Sequence, residues 1–446
     1  FIKKEDKSNF SQQIGSLMES NTTSQGYQSR RVLMILYPFP PSGEVGCYRG
    51  VRFIKNMVEF GWHPIVLAPS NAVYSIYDYN IINEIVSKCV IYRAPLLFPK
   101  ISLGKSNTAI LNLTQSYLFK ILDRIMLPDA KVLWIPFALF KAIRLIRRQQ
   151  IQLVYATGSP FSCFILALLV KLVTKKKLIL DYRDPWSINQ LRRKNRVIRM
   201  VESFLDKSAV TNADGILFSS RRTCDTYQKR YAAQSNALFK AIENSYDHTL
   251  NLGRHKKIEE EHDGICRIIY AGSFYGDRNP INFFKAIKLS FERNQELRQR
   301  IQFHYFGINH LSPYNRLLRD LEIQDVVFPH DPVPLSDLYT YYSNSDILLL
   351  INHCSKGHEL YIPQKFFEYL MMEKPILCLT KEGSLRDIVT ETNAGLIADP
   401  EDTKDISDKI EESYIRFYLN KEKCTIRNKI KYSSYEKTKQ LCEVMN

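Results

Sequence analysis

The chain has 446 residues, enough for two domains of ordinary size whose cores need no disulfide or metal staple. Its 45% hydrophobic and 12% aromatic content, against 24% charged residues, excludes a disordered or collagen-like protein. A formal net charge of +16 calls for an anionic partner, and charge alone leaves nucleic acid, an anionic membrane face and phosphorylated substrates open.

Residues 1–30 read as a flexible polar leader without the apolar core of a signal peptide. Arg31–Tyr37 predicts a buried strand, 38–46 a Pro/Gly loop, Tyr48–Phe60 a helix closed by Gly61, and His63–Ala68 a second strand. That order opens a parallel βαβ unit, whose ligand crevice lies at the carboxyl ends of the strands. Further strands are expected at Leu153–Ala156, Leu178–Asp181 and Gly215–Ser219. The apolar runs Val132–Phe140 and Phe161–Val170 fall short of the about eighteen residues that span a bilayer. After a charged run, His248–Gly264, the same order restarts: strand Arg267–Ala271, polar loop Gly272–Pro280 and helix Ile281–Asn294. Short apolar segments follow at Ile301–Phe306, Val326–Phe328, Asp346–Leu350 and Pro375–Leu379. The expected fold is α/β, with two doubly wound domains, 31–245 and 267–420, facing a central cleft. Residues 246–266 form the linker, and 421–446 a C-terminal helix that packs back on the first domain.

The segment 361–377 holds the most chemistry. Pro363 suits the first turn of a helix, so Lys365 and Glu368 sit one turn apart on one face. The pair reads either as a solvated ion pair or as a site in which Lys365 and helix-end N–H groups take a diphosphate while Glu368 holds a ribose diol. Asp181, Arg183 and Asp184 follow a strand and either shape a site in the crevice or cap the surface. Gly43 and Gly46 are turn glycines or points where backbone approaches a sugar phosphate, and Arg49 is a ligand of that loop or a surface residue. The nine cysteines form no CxxC pair, which reads as a reducing cytoplasm without structural zinc. His304 and His330 read as structural. There is no Asp-x-Asp pair to carry a metal between carboxylate and diphosphate. Basic residues cluster at Arg144, Arg147 and Arg148, at Lys171 and Lys175–Lys177, and at Arg192–Lys194, Arg196 and Arg199. They flank apolar helices with Trp134, Phe137, Phe140 and Phe164, a surface suited to an anionic bilayer or else a solvated face over a core helix. No nucleic-acid motif accompanies the charge.

The run Ile362–Leu377, the loop Ala271–Pro280, the segments Val333–Asp337 and Asn344–Asp346, and Ile242–Asp247 together resemble glycosyltransferase family 4 enzymes. In the first half, Pro40–Arg49 looks like the family's glycine loop, and Asp181–Trp186 like a segment of its bacterial surface-polysaccharide branches. The resemblance implies the GT-B fold and transfer from a nucleotide sugar with retention of anomeric configuration. It implies that Gly272, Ser273, Arg278, Asn244, Pro363, Lys365, Glu368 and Glu359 bind the donor. Gly43, Gly46, Arg49, Asp181, Arg183 and Asp184 would then bind the acceptor, with Asp184, Arg278, Lys365 and Glu368 as catalytic residues. Two positions depart from the pattern. Leu360 stands where the family often has its first glutamate, with Glu359 one residue out of register, and Ser273 stands where many members place an arginine.

The expected activity is therefore a metal-independent glycosyltransferase without a bound cofactor, using a UDP- or GDP-sugar and a saccharide or lipid-linked acceptor in surface polysaccharide or glycolipid synthesis. Its expected place is the cytoplasm, peripheral on the inner membrane face, with no nucleic-acid partner. The rivals are another GT-B enzyme, such as a sugar-nucleotide epimerase, and a non-catalytic scaffold that docks on a membrane or a partner enzyme.

Overall fold

The computed structural model describes residues 30–97, 126–191, 195–250, 264–307 and 311–446. Nearly all of the polar leader, Arg192–Lys194 and most of the charged run 248–264 lie outside the described residues. The chain forms two compact units, Phe1–Leu178 and Ile179–Asn446.

The first unit contains β1 (Arg30–Ile35), α1 (Val45–Met57), β2 (Trp62–Pro69), β3 (Val90–Ala94), α2 (Ile135–Arg148), β4 (Leu153–Gly158) and α3 (Ser162–Thr174). β1 pairs in parallel with β2 on one side and β4 on the other, and β2 with β3. Val32 to Ile35 are fully buried, as expected of a central parallel strand covered on both faces.

The second unit begins within β5 (Lys177–Tyr182) and continues with α4 (Arg196–Asn212), β6 (Gly215–Phe218), α5 (Arg221–Tyr231) and β7 (Leu238–Ala241). In sheet order the first seven strands run β3-β2-β1-β4-β5-β6-β7. A second sheet uses β8 (Cys266–Ala271), β9 (Ile301–Phe306), β10 (Val327–His330), β11 (Ile347–Ile351), β12 (Ile376–Leu379) and β13 (Gly395–Ala398). Its order is β10-β9-β8-β11-β12-β13, every pair parallel. Both orders reverse direction beside the first strand of the sheet, the switch point at which doubly wound folds open a ligand crevice. In the second sheet that point lies between β8 and β11.

Its helices are α6 (Ile281–Arg293), α7 (Leu335–Ser343), α8 (Gln364–Met372), α9 (Ser384–Thr392), α10 (Thr403–Ser413) and α11 (Ser434–Met445). One core layer holds Phe283, Phe284 and Phe303; the other holds Phe366, Phe367, Tyr369 and Leu370. Burying each phenylalanine contributes about 1.5–3 kcal/mol. α11 is anchored by Lys437, 1% exposed and 2.6 Å from Glu243, and by an ion pair between Lys240 and Glu443 at 3.2 Å. Tyr246 pairs through its backbone with Tyr432 and Ser434, so the start of the expected linker is fixed to the C-terminal segment.

Several expectations need correction. β3, β7 and β13 were not foreseen; all three are sheet edges, where half-exposed residues blur the apolar pattern. Trp134 and Phe164 are fully buried in the core and cannot edge a surface, whereas Phe137 and Phe140 are exposed. Arg49 is buried, its guanidinium 5.0 Å over the Phe53 ring, and is no surface residue. Pro363 caps α8 from outside, with extended backbone, and the helix begins at Gln364. Among the described residues no helix is long and apolar enough to cross a membrane.

Candidate functional site

The loop after β8 is shaped by two glycines. Gly272 has φ +135°, and its N–H donates to the Phe306 carbonyl at 2.7 Å. The positive φ favours glycine here, and a Cβ at this position would displace the ammonium of Lys365 from the loop. Gly276, with φ +60°, sits in a tight turn closed by reciprocal backbone bonds between Tyr275 and Arg278, at 3.0 and 3.1 Å. That turn folds the Arg278 guanidinium 5.0 Å over the Tyr275 ring, with Nη1 donating to the Tyr275 hydroxyl at 3.1 Å. Its Nε is buried without a hydrogen-bond partner.

Asp277 locks the loop from the other side. Its carboxylate accepts from His353 Nδ1 and from the N–H groups of Cys354 (2.7 Å) and Ser355 (2.6 Å), at the carboxyl end of β11. Burial would raise its pKa, but these hydrogen bonds outweigh burial and hold the carboxyl well below the ordinary range. The switch point between β8 and β11 is thus bridged by a carboxylate that is already engaged and does not neutralise Arg278.

Lys365 lies in the first turn of α8, with Nζ 4.0 Å above the centre of the Tyr270 ring. Burial, and then the positive Arg278 nearby, push its pKa well below the ordinary lysine value. Among the described residues neither Lys365 nor Arg278 forms an ion pair with a carboxylate. Lys365 therefore reaches Gly272 from the amino end of α8, and Arg278, in the loop at the carboxyl end of β8, lies near enough to act on it electrostatically. Such a cradle fits a diphosphate.

The pair expected on one face of α8 is not an ion pair. Glu368 is 5% exposed; Oε2 accepts from the Tyr339 hydroxyl and Oε1 from Gln364 Nε2, both at 2.8 Å. Gln364 also donates to the Ser245 carbonyl at 2.9 Å, which brings the loop of Asn244 beside the start of α8. These bonds fix the Glu368 carboxylate on the inner side of α8. Ser273 lies half-buried in the loop beside Gly272. Glu359 belongs to a short helical turn before α8 and accepts the Gly357 N–H at 2.8 Å. At the departure, the Leu360 carbonyl accepts from Ser220 Oγ (2.6 Å) and Thr223 Oγ1 (2.9 Å).

At the end of β5, Asp181 is fully buried, while Arg183 and Asp184 are half-buried. Arg183 Nε has no hydrogen-bond partner. The residue that positions this loop, Asp206 on α4, was not singled out from the sequence. Its buried carboxylate accepts from the hydroxyls of Tyr182 and Tyr227 at 2.8 Å and from Ser187 N–H (3.0 Å) and Oγ (2.6 Å). Burial raises its pKa, and the same donors pull it back. The available signal was an acid pair, Glu202 and Asp206, spaced at one turn on the buried stripe of α4.

Gly43, Gly46 and Arg49 lie in the first unit. Gly43 donates to the Ile76 carbonyl at 2.9 Å, and a Cβ there would stand 3.0 Å from the Ile76 side chain, so this glycine serves a close packing of loops. Gly46 falls in the first turn of α1. His304 and His330 stack in the second sheet, 2.9 Å apart through Nδ1 and Nε2, and burial lowers the His304 pKa to about 4.

Residues 254–433 match the family model described as Glycosyl transferases group 1, which supports a glycosyltransferase. Among curated proteins none matches the chain. Solved structures do. Anabaena HepE in complex with UDP and glucose is 12% identical, with 93% of this chain and 99% of that one covered and a TM-score of 0.60. Sucrose-phosphate synthase from Thermosynechococcus elongatus is 12% identical over 93% and 94% of the two chains, with a TM-score of 0.55. The α,α-trehalose 6-phosphate synthase of Burkholderia multivorans is 11% identical over 94% and 93%, also at 0.55. At these identities the likeness is one of fold, and the fold is GT-B.

Proposed function

We propose that the chain is a retaining, metal-independent glycosyltransferase that takes its sugar from a UDP- or GDP-sugar bound at the β8 loop and α8. The observation that carries this reading is Lys365 set against Gly272 with Arg278 near it and, among the described residues, no carboxylate paired with either. A leaving nucleoside diphosphate gains charge as the glycosidic bond breaks, and cations fixed beforehand stabilise it without reorganising. Two protein cations supply the charge that a bound metal supplies elsewhere, and the resemblance to family 4 gives Glu368 to the donor. Retention of configuration rests on the resemblance to family 4 and on nothing geometric. Asp184 and Arg183, at the carboxyl end of β5, contribute to the acceptor side.

The acceptor in this proposal is a saccharide or a lipid-linked saccharide in surface polysaccharide or glycolipid synthesis, presented at the inner face of a membrane. What supports the membrane is the surface of single helices. α2 exposes Phe137 and Phe140 beside Arg144, Arg147 and Arg148; α4 exposes Val197, Met200 and Phe204 beside Arg196 and Arg199.

A coupled assay for released UDP or GDP over a panel of nucleotide sugars, with and without mixed saccharide acceptors, tests the activity. Acceptor-dependent release by the wild type, lost in Arg278→Ala, is the expected result. Conversion of a nucleotide sugar into its epimer without net nucleotide release would favour an epimerase, and neither release nor conversion of any donor would favour a scaffold.

A further inference from the structure

The second unit holds a cavity of about 430 Å3, within the usual range for small-molecule sites, to which no role has been given above. One wall is a face of α5, where Arg222, Asp225 and Thr226 recur at three- and four-residue spacing. Opposite stand Glu359 and Leu360, and Ile188 and Gln190 close it from the loop after β5.

Its walls are fixed. Ser220 and Thr223, at the start of α5, both donate to the Leu360 carbonyl, and Ser384 Oγ donates to the Glu359 carbonyl at 2.9 Å. Arg222 grips Asp387 of α9 with two hydrogen bonds, Nε to Oδ2 at 2.6 Å and Nη2 to Oδ1 at 2.8 Å. The guanidinium charge is therefore met outside the cavity. Arg222 also acts on Glu359, and with Asp225 the three charged residues of the lining, one cation and two carboxylates, leave it net negative.

That sign decides the ligand class. A diphosphate is repelled here and belongs at Arg278 and Lys365. Carboxylates accept strongly from hydroxyl pairs, Gln190 and Thr226 add neutral donors and acceptors, and Ile188 and Leu360 offer an apolar patch to the C–H face of a sugar ring. Leu360, on the cavity wall, and Lys365 are five residues apart in sequence, so at most about 18 Å of chain separates the cavity from the phosphate cradle. We propose that this cavity is the subsite for a neutral saccharide acceptor, a proposal that rests on the glycosyltransferase reading. None of Gly43, Gly46, Arg49, Asp181, Arg183 or Asp184 lines it.

Saturation-transfer NMR on the full chain tests it with methyl glycosides of glucose, galactose and N-acetylglucosamine, and with methyl glucuronide as the anionic counterpart. At least one neutral glycoside should receive saturation and the glucuronide should not. The neutral signal should fall about tenfold in Asp225→Asn and in Thr226→Val. UDP and GDP titrated into the same proteins should bind all three alike. Silence from every neutral glycoside, an equal signal from the glucuronide, or unchanged signals in both variants would overturn the subsite. If the nucleotides bind while the glycosides fail, the donor reading stands and the subsite alone falls; if neither nucleotide binds the wild type, it is the donor reading that fails.

Discussion

Lys365 is the residue at which the proposed function and stability oppose each other. A half-buried ammonium near Arg278, with no carboxylate to meet it, costs the apo fold stability that an arriving diphosphate would return. Lys365→Met should therefore leave the melting temperature unchanged or raise it, while lowering transfer by about 10^2–10^3-fold, as the loss of one fixed transition-state donor does elsewhere. A clear drop in melting temperature would show that Lys365 stabilises the fold. The pH dependence follows from the same shift. The folded pKa is lowered, so between it and the unfolded value the unfolded chain holds more protons, and stability rises with pH through that window. Anion binding restores the charge, so nucleotide binding should take up a proton there, visible in calorimetry as a heat that depends on the buffer's ionisation enthalpy. Gly272→Ala probes the approach of Lys365 to the loop: the φ of +135° and the collision with Lys365 should together abolish nucleotide binding in a folded protein. That the start of α8 meets the β8 loop, with Lys365 against Gly272, was legible in the sequence because loop and helix stand in a known order. The burial of Glu368, and its hydrogen bonds to Tyr339 and Gln364, were not, since a Lys/Glu spacing at one turn looks the same whether it faces water or a core.

At the scale of elements, α4 presents a polar anchor on one face and exposed apolar residues on the other. Its inner face places Asp206 under the 182–187 loop, accepting from three side-chain hydroxyls and a backbone N–H. Asp206→Ala strands those buried donors and should destabilise the fold by about 3 kcal/mol or more, read as a shift in the denaturation midpoint. Its outer face exposes Val197, Met200 and Phe204 at 68%, 72% and 69%. Replacing all three by serine should sharply reduce sedimentation with vesicles of mixed phosphatidylglycerol and phosphatidylcholine, and equal sedimentation would remove this helix from the membrane proposal. The long buried strands were readable from their unbroken apolar runs. The edges β3, β7 and β13 were missed because a short strand with one neighbour carries too little pattern, and Asp206 was missed because nothing along a sequence says which tyrosines will surround a helical acid.

For the whole molecule, the repeated order of strand, loop, helix and strand was enough to expect two doubly wound sheets, and both sheets reverse where that fold reverses. The cavity at α5 joins segments about 35 and 130 residues apart in the chain, around 190, 225 and 360, so no local motif announces it. The central claim is that the second sheet binds a nucleoside diphosphate through Arg278 and Lys365. Isothermal titration of UDP and of GDP into the wild type, Arg278→Ala and Lys365→Met tests it most directly. The account requires one site for at least one of the two nucleotides in the wild type, weakened at least about tenfold in each variant. Absence of binding by both nucleotides, or wild-type affinity in both variants, would contradict it.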